Sequence, residues 1–443
     1  MGQANTAGHV RDLAVDLYRV GGLVLIVVGH WLLACMTYHD GHFGLQDGIS
    51  DMPWTAWLSW IFQAVPVFFL VAGYAGAVSW THRCDADGMS RQAWLGHRLA
   101  RVLGPTAVYV ALVSVIVVVL QVLGLPGSML KLAGWALGTH LWFLAVYVLV
   151  VSLTPIAIAA HRRWGLLVPG VLAVGVAAVD AAAVHGHVPY IGWLNCLLCW
   201  GLLYQLGIAW HSGSLVGRMP VLLASGSAVA LALLIWLGPY QVSMVDVAVH
   251  GLRNAIPPTV AMLAFGCAQA GVVVTLAPAL NRALRTDPVQ RALSAANSKV
   301  MLLYLWHMVP VVVVAFVGYR AGLFPQPIEG SAAWWWFRLE WVFIIGLAAA
   351  VEMALLWWGR RVFAAPLPML PMPLRQRWAE PVTLAGASMA AYGLWLFAHY
   401  GFAPAGHLAW VTALLFAVGL ALVVFRPAEV TGDRPADRAL RME

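Results

Sequence analysis

The chain repeats one pattern along its length, in which apolar stretches of about 20 residues alternate with short polar segments. A helix of that length crosses the ~30 Å hydrocarbon core of a bilayer. The pattern predicts twelve spans, at approximately 17–38, 54–80, 102–123, 140–160, 165–184, 191–210, 220–238, 258–280, 300–318, 336–358, 380–400 and 407–425. Because only helices satisfy their own backbone in lipid at this segment length, we expect an all-α, polytopic transmembrane helix bundle.

The composition excludes a soluble globular domain. Hydrophobic residues make up 62% of the chain and charged residues 10%, whereas soluble domains carry about 25% charged residues. The excess apolar surface must therefore face lipid. The five cysteines lie mostly in apolar runs, and we interpret them, including the C-x-x-C pair of Cys196 and Cys199, as small core residues. We predict no metal site.

The basic residues indicate the orientation of the spans. Of the 25 Lys and Arg residues, 21 fall on one predicted side, and the other side keeps only Lys131, Arg253, Arg320 and Arg338. This asymmetry places both termini in the cytoplasm of a multi-pass plasma-membrane protein. It also explains the net charge of +7 without a nucleic-acid partner. Lysine occurs only at 131 and 299, and this preference for arginine is typical of a GC-rich bacterial genome.

The first span carries three ionisable residues on one helix face. Arg19 and His30 are eleven positions apart, which is about 20° beyond three full turns and a rise of ~16 Å. Asp16 falls within about 40° of His30 on the same wheel. Since Arg19 lies near the predicted cytoplasmic edge, His30 is expected near the middle of the bilayer.

This stripe has a structural and a functional interpretation. In the structural one, Arg19 snorkels at the helix end beside Asp16, and His30 makes a hydrogen bond within the core. Polar residues buried in membrane spans are costly, however, and usually mark a pathway or a reaction centre. A neutral imidazole suits general-base catalysis near pH 7, so we favour the functional interpretation for His30.

Other polar residues leave two interpretations open. His140 and His307 lie within spans, where each either lines a substrate path or makes a structural hydrogen bond. Arg98 and Arg101 belong to a cytoplasmic segment, where they either enforce topology and contact lipid headgroups or bind a phosphate. The same pair of interpretations applies to Arg282 and Arg285.

Several fragments together resemble the acyltransferase-3 family of integral membrane acyltransferases. The first is the Arg-x10-His pattern of Arg19 and His30, with Asp16 three residues before the arginine. The others, in the family's order, are Phe68–Tyr74, Arg98–Arg101 followed by Pro105, His140–Leu144 and Leu302–His307. The likeness covers roughly residues 11–320. Ala72 stands where the family usually has Ser, which removes any role for a hydroxyl at that position.

The resemblance implies an enzyme, namely an O-acyltransferase that transfers groups other than aminoacyl groups. It would move an acyl group from cytoplasmic acyl-CoA, used as a co-substrate without a permanently bound cofactor, to a hydroxyl of a glycan, lipid or glycosylated small molecule. Within it, His30 would be the general base, with Arg19 and Asp16 completing the catalytic set. The residues implied for the donor are Arg98, Arg101, Arg282 and Arg285, and those for the acceptor pocket are His140, Trp142 and His307.

The resemblance to the family also predicts how the chain is divided. The family core usually has about ten spans, so we expect a membrane acyltransferase core at 1–360, an additional helix pair at 361–425 and a disordered cytoplasmic tail at 426–443. Without a soluble catalytic domain beside the spans, the chemistry must use residues of the spans and short loops.

A proton-coupled secondary transporter or exporter is the main alternative. Twelve spans with cytoplasmic termini and a buried His, Arg and Asp would suit such a carrier. The 81–101 segment lacks the Gly-x-x-x-Asp-Arg-x-Gly-Arg signature of major-facilitator carriers, and no two-half symmetry is apparent. A third hypothesis is a scaffold that presents substrate to other enzymes.

Overall fold

The structure is a computed structural model that describes residues 12–45, 52–245, 252–372 and 376–427. In these ranges the α-helices are α1 Leu13–Leu33, α2 Ser59–Phe62, α3 Val65–Trp80, α4 Arg91–Val122, α5 Gly127–Gly138, α6 Leu141–Ser152, α7 Thr154–Trp164, α8 Leu167–Val184, α9 Asn195–His211, α10 Met219–Leu237, α11 Val260–Ala283, α12 Asp287–Asn297, α13 Val300–Trp306, α14 Met308–Arg320, α15 Ala332–Trp358, α16 Arg360–Phe363, α17 Gln376–Tyr400 and α18 Trp410–Val424. The 3-10 helices are Pro53–Leu58 and Ile191–Leu194, and Thr81–Ala86 is a π-helical turn. The strands are β1 Met36–His39, β2 His42–Leu45, β3 Leu370–Met372 and β4 Phe425–Pro427.

The expected all-α membrane bundle is confirmed. Among the described residues, eleven helical segments are long and apolar enough to cross a bilayer, and α18 is a shorter apolar helix. Some segments join consecutive helices, as in Gly127–Ser152, which contains α5 and α6, and Val300–Arg320, which contains α13 and α14. The short strands pair as an antiparallel β1–β2 hairpin and a parallel β3–β4 contact.

Two predicted spans are wrong in their bounds. The first was expected at 17–38, but α1 ends at Leu33 and the chain turns through the β1–β2 hairpin, whose two-residue turn has Asp40 and Gly41 at positive φ. The fourth was expected at 140–160. The span is instead Gly127–Ser152, because Pro155 lies in the first turn of a separate helix, α7.

Apolar side chains cover much of the outer surface of the bundle. Val171 is 71% exposed, Leu237 81%, Trp358 86% and Val411 82%. A soluble protein rarely exposes contiguous apolar surface on this scale, so these faces require lipid around them.

Glycines allow α3 and α9 to cross in backbone contact. A Cβ atom added at Gly73 would lie 1.9 Å from the carbonyl oxygen of Tyr204, and one at Gly207 would lie 1.9 Å from that of Leu70. Close approach through small residues is a usual mode of helix packing in membranes, where dispersion contacts and not hydrophobic burial drive association.

The C-terminal helices pack on the side of the bundle that carries α4, α5 and α6. Gly138 of α5 contacts the backbone of Phe397 in α17, and the Phe402 amide donates to the Gly134 carbonyl over 3.1 Å. Beyond α18, Arg426 and Pro427 belong to β4, and residues 428–443 of the predicted tail lie outside the described residues. The division into core, helix pair and tail stays a prediction.

The segments expected in the cytoplasm meet at one end of the bundle. Arg162 forms an ion pair with Asp85, and Arg91 pairs with Glu380 at 2.7 Å. The Leu367 amide donates to the Ala100 carbonyl over 2.9 Å. These contacts place the 81–101 segment, the end of α7 and the 359–380 segment on the same side, as the charge distribution requires.

Candidate functional site

Two histidines from distant parts of the chain meet inside the bundle. His30, near the end of α1, has Nδ1 2.9 Å from Nε2 of His307, and the two rings stack with centroids 5.1 Å apart. His307 is 0% exposed, and its Nδ1 lies 2.7 Å from the Tyr304 carbonyl oxygen. His30 thus points into the protein and away from the lipid.

This network assigns the tautomers of both rings. A carbonyl oxygen only accepts, so His307 donates from Nδ1–H to Tyr304, and its Nε2 is an acceptor in the neutral ring. His30 must then donate from Nδ1–H to His307. In neutral His30 this leaves Nε2 with an unshared electron pair.

The second nitrogen of His30 is not fully enclosed. His30 is partly exposed, whereas its partner His307 is fully buried. Among the described residues Nε2 of His30 has no hydrogen-bond partner, and it is not one of the enclosed unpartnered atoms. An imidazole oriented in this way is suited to remove a proton from a group that reaches it.

Two breaks in the membrane helices meet at this pair. α5 and α6 are separated at Thr139 and His140, and α13 and α14 are separated at His307. Pro310 explains the second break, because a proline ring clashes with the carbonyl four residues earlier. Irregular backbone at membrane depth is tolerated only where protein or a water-filled cavity surrounds it.

Side chains satisfy the carbonyl groups at both breaks. Trp31 donates from Nε1 to the His307 carbonyl over 2.8 Å, and the Tyr304 hydroxyl donates to the His140 carbonyl over 2.6 Å. Tyr304 therefore ties the two breaks together and fixes the ring of His307. Such rigid support is what a positioned catalytic group needs.

His140 lies beside the pair, but Trp142 faces elsewhere. The His140 ring is 2% exposed and its centroid is 5.0 Å from that of His307. Both its ring nitrogens lack hydrogen-bond partners among the described residues. Trp142 packs instead against Phe143 and Trp200, with centroids 6.3 and 6.1 Å away.

Arg19 and Asp16 belong to a second polar cluster, towards the start of α1. Arg19 donates from Nη1 to Asn297 Oδ1 over 3.3 Å, and the Asn297 amide donates to Asp16 Oδ1 over 2.8 Å. Asn297 was not predicted. The available signal was its place at the end of an amphipathic segment, just before the span that carries His307.

Asp12 extends this cluster and also escaped the sequence analysis. It caps α1 by accepting from the Val15 amide, and its carboxylate accepts from Asn281 Nδ2 at 3.0 Å and from the Tyr74 hydroxyl at 3.2 Å. The first helix is thereby fixed to α3 and α11. A capping pattern in the sequence involves only neighbouring residues, so it does not predict these long-range partners.

The predicted donor arginines are divided between two places. Arg98 lies 5.5 Å over the Trp94 ring, and its charge, with that of Arg83, lies close enough to repel Arg101. Arg282 and Arg285 are exposed at the end of α11 and after it. Arg83, Arg98 and Arg101 form a cationic patch that suits a phosphate-bearing ligand.

Comparison with known families gives a match over most of the chain. A family model described as an acyltransferase domain matches residues 12–357, a range that contains both histidines and ends ahead of α17 and α18. No curated protein and no solved structure matches the chain significantly. In the described residues, no group of three His, Cys, Asp or Glu side chains is arranged to hold a metal ion.

Proposed function

Because the chain belongs to the acyltransferase-3 family, whose model matches residues 12–357, we propose that it is an O-acyltransferase that uses His30 as its general base. The donor is acyl-CoA bound from the cytoplasmic side, and the acceptor is a hydroxyl of a glycan, lipid or glycosylated small molecule. The observation that carries the proposal is the free Nε2 of His30, held by the His30–His307–Tyr304 chain of hydrogen bonds.

In the proposed reaction the proton of the acceptor hydroxyl moves to Nε2 of His30. The acceptor oxygen forms the new ester bond to the thioester carbonyl carbon, and the carbon–sulfur bond breaks. The CoA thiolate leaves and takes up the proton held by His30. While His30 is protonated, its Nδ1–H still donates to His307, which spreads the charge over a hydrogen-bonded pair.

For His307 we propose orientation of His30 in place of the acceptor contact that the family resemblance implied. Its two ring nitrogens are both hydrogen-bonded and it has no exposed surface. His140 is the better candidate for the acceptor pocket, because both its ring nitrogens lack hydrogen-bond partners among the described residues. Trp142, directed towards Trp200, would shape the pocket only through Phe143.

Donor binding is proposed for the arginines at the opposite end of the site from the acceptor. Arg98 and Arg101 lie in the cationic patch with Arg83 and would hold the phosphates of the nucleotide end. Exposed Arg282 and Arg285 would contact the same part of the donor more peripherally. Arg19, tied to Asp16 through Asn297, would orient the donor arm that leads towards His30.

Reconstituted protein separates this proposal from the transporter alternative. Proteoliposomes receive acyl-labelled acyl-CoA outside and hydroxyl acceptors on both sides, and label in the product and in the lumen is measured. The proposal predicts acylated product from the wild type, strongly reduced product from His30→Ala, and unchanged product from the control His185→Ala, an exposed histidine. Uptake of intact substrate without consumption of acyl-CoA would contradict it.

A further inference from the structure

A partly enclosed apolar cavity lies at the end of the bundle where α1 stops. The empty space between its walls is about 600 Å³, part of which is open to the surroundings. Its walls come from the end of α1, the 53–62 segment and the start of α15, and they include Gly29, Leu33, Leu58, Phe62 and Trp334. Most of this lining is apolar, which suits a hydrocarbon chain.

One wall of the cavity carries a buried cation. Arg338 of α15 lines it and is only 3% exposed. The guanidinium carbon lies 5.3 Å from the centroids of the Trp334 and Phe337 rings and 5.6 Å from that of Trp341. Cation–π contacts of this kind stabilise the charge but do not neutralise it.

The described residues provide hydrogen bonds for Arg338 but no counter-ion. Nη1 donates to the Ala34 carbonyl over 3.3 Å, and Tyr319 also lies within reach. Nε is enclosed and has no hydrogen-bond partner among the described residues, and no carboxylate of that part of the chain pairs with the guanidinium. A buried cation is costly unless an anion compensates it.

The apolar cavity and a buried guanidinium that pairs with no carboxylate of the described residues together indicate which kind of ligand fits here. We propose that this cavity binds an amphipathic anion, with an apolar chain in the cavity and a phosphate or carboxylate on Arg338. Gly29, the residue before His30 in α1, is part of the wall. The inference rests on the cavity and not on the proposed acyl transfer, so binding is measured without any reaction.

Titration of purified protein in a neutral detergent tests the proposal, with bound probe counted by native mass spectrometry. The probes are dodecyl phosphate and dodecylphosphocholine, which share one chain and differ in net charge. We expect the phosphate to bind about 10-fold more tightly, as one charge-assisted contact provides. Equal binding of the two probes would overturn the proposal.

Two pairs of variants assign the binding to this cavity. Arg338→Met should remove the preference for the phosphate, whereas Arg320→Met, at an exposed arginine at the end of α14, should keep it. Leu33→Trp should block both probes by filling the cavity, whereas Leu25→Trp should not. Leu33 and Leu25 are matched, since both lie on α1 and are 38% exposed. If Arg338→Met does not fold, the Leu33→Trp pair decides, and unaltered binding there refutes the site.

A competition arm identifies the source of the ligand. Phosphatidylglycerol is added to protein loaded with dodecyl phosphate. Displacement indicates that a phospholipid of the bilayer occupies the cavity, and retention indicates a single-chain amphiphile that enters as a separate ligand. Both results support the proposal, whereas displacement by phosphatidylcholine at the same concentration counts against it. His30→Ala should bind as the wild type does, so a failed catalytic proposal remains distinguishable from a failed site.

Discussion

The imidazole of His30 owes its proposed reactivity to groups that never touch a substrate. The Nδ1–H group of His30 donates a hydrogen bond to Nε2 of His307. That nitrogen is the acceptor because the Nδ1–H group of His307 donates to the Tyr304 carbonyl oxygen. Partners of this kind hold a tautomer and a ring orientation, which is how an otherwise ordinary histidine becomes a directed base.

Replacing His307 tests that role in orientation. His307→Phe should lower kcat by about 10- to 100-fold with little change in the KM for acyl-CoA, because His30 loses the acceptor that fixes its tautomer. His307→Gln should retain more activity, since its amide oxygen can accept the hydrogen bond from Nδ1–H of His30. Steady-state kinetics on both variants measure the effect.

The control for His307 is a histidine in a similar environment elsewhere. His161 is buried and hydrogen-bonded to Ser212 at 2.8 Å, and His161→Phe should leave kcat near the wild-type value. An equal loss of kcat in His161→Phe, or a KM effect alone in His307→Phe, would contradict the orientation role.

The sequence predicted the arrangement of residues along one helix better than their partners on other helices. The spacing of Arg19 and His30 placed them about three turns apart on one helix, and α1 holds them in that relation. The partners Asn297 and His307 come from residues more than 270 positions away. Helix periodicity describes only one helix at a time, so contacts across the bundle were beyond it.

Helix α9 shows how the membrane helices are held together. Gly207 contacts the Leu70 carbonyl, whereas Gly201 on the same helix has nothing within 4 Å of an added Cβ. On α9, the crossing with α3 therefore depends on Gly207 and not on Gly201.

Alanine at these two positions gives a matched test. Gly207→Ala should force α3 and α9 apart and lower the thermal midpoint in detergent, because the added methyl would overlap backbone atoms 1.9 Å away. Gly201→Ala should leave the midpoint equal or slightly higher, as alanine favours a helix over glycine by up to ~1 kcal/mol. Equal midpoints for the two variants would show that the crossing is not tightly packed.

Hydropathy predicted most of the spans but not all of their bounds, and it did not predict where the chain breaks inside a span. Apolar length gave the spans, but the interruptions at His140 and His307 do not alter hydropathy. Pro310 was a local signal for one break, since it cannot continue a regular helix. The break at Thr139 and His140 has no such residue and depends on tertiary packing.

The two ends of the bundle differ in the contacts that close them. Basic and acidic loops meet at the end that contains Arg162, Asp85, Arg91 and Glu380, and the other end contains the β1–β2 hairpin and the contact of Gly127 with Gly406. The positive charges predict that the first end faces the cytoplasm.

Labelling in intact cells tests this orientation. In a background without native cysteines, Ala86→Cys should resist an impermeant thiol reagent, and Ser128→Cys should react, because they lie at opposite ends and are both exposed. The reverse labelling pattern would show the opposite orientation in the membrane, with the cationic patch on the side away from cytoplasmic acyl-CoA.

Chemical rescue of His30→Ala tests the central claim most directly. Removing a general base typically costs 10²- to 10⁴-fold, so the variant should transfer acyl groups at least ~100-fold more slowly than the wild type. Because Nε2 of His30 is not fully enclosed, added imidazole should enter the vacated position and restore part of kcat in a saturable way. Transfer by His30→Ala at the wild-type rate without imidazole would contradict the account.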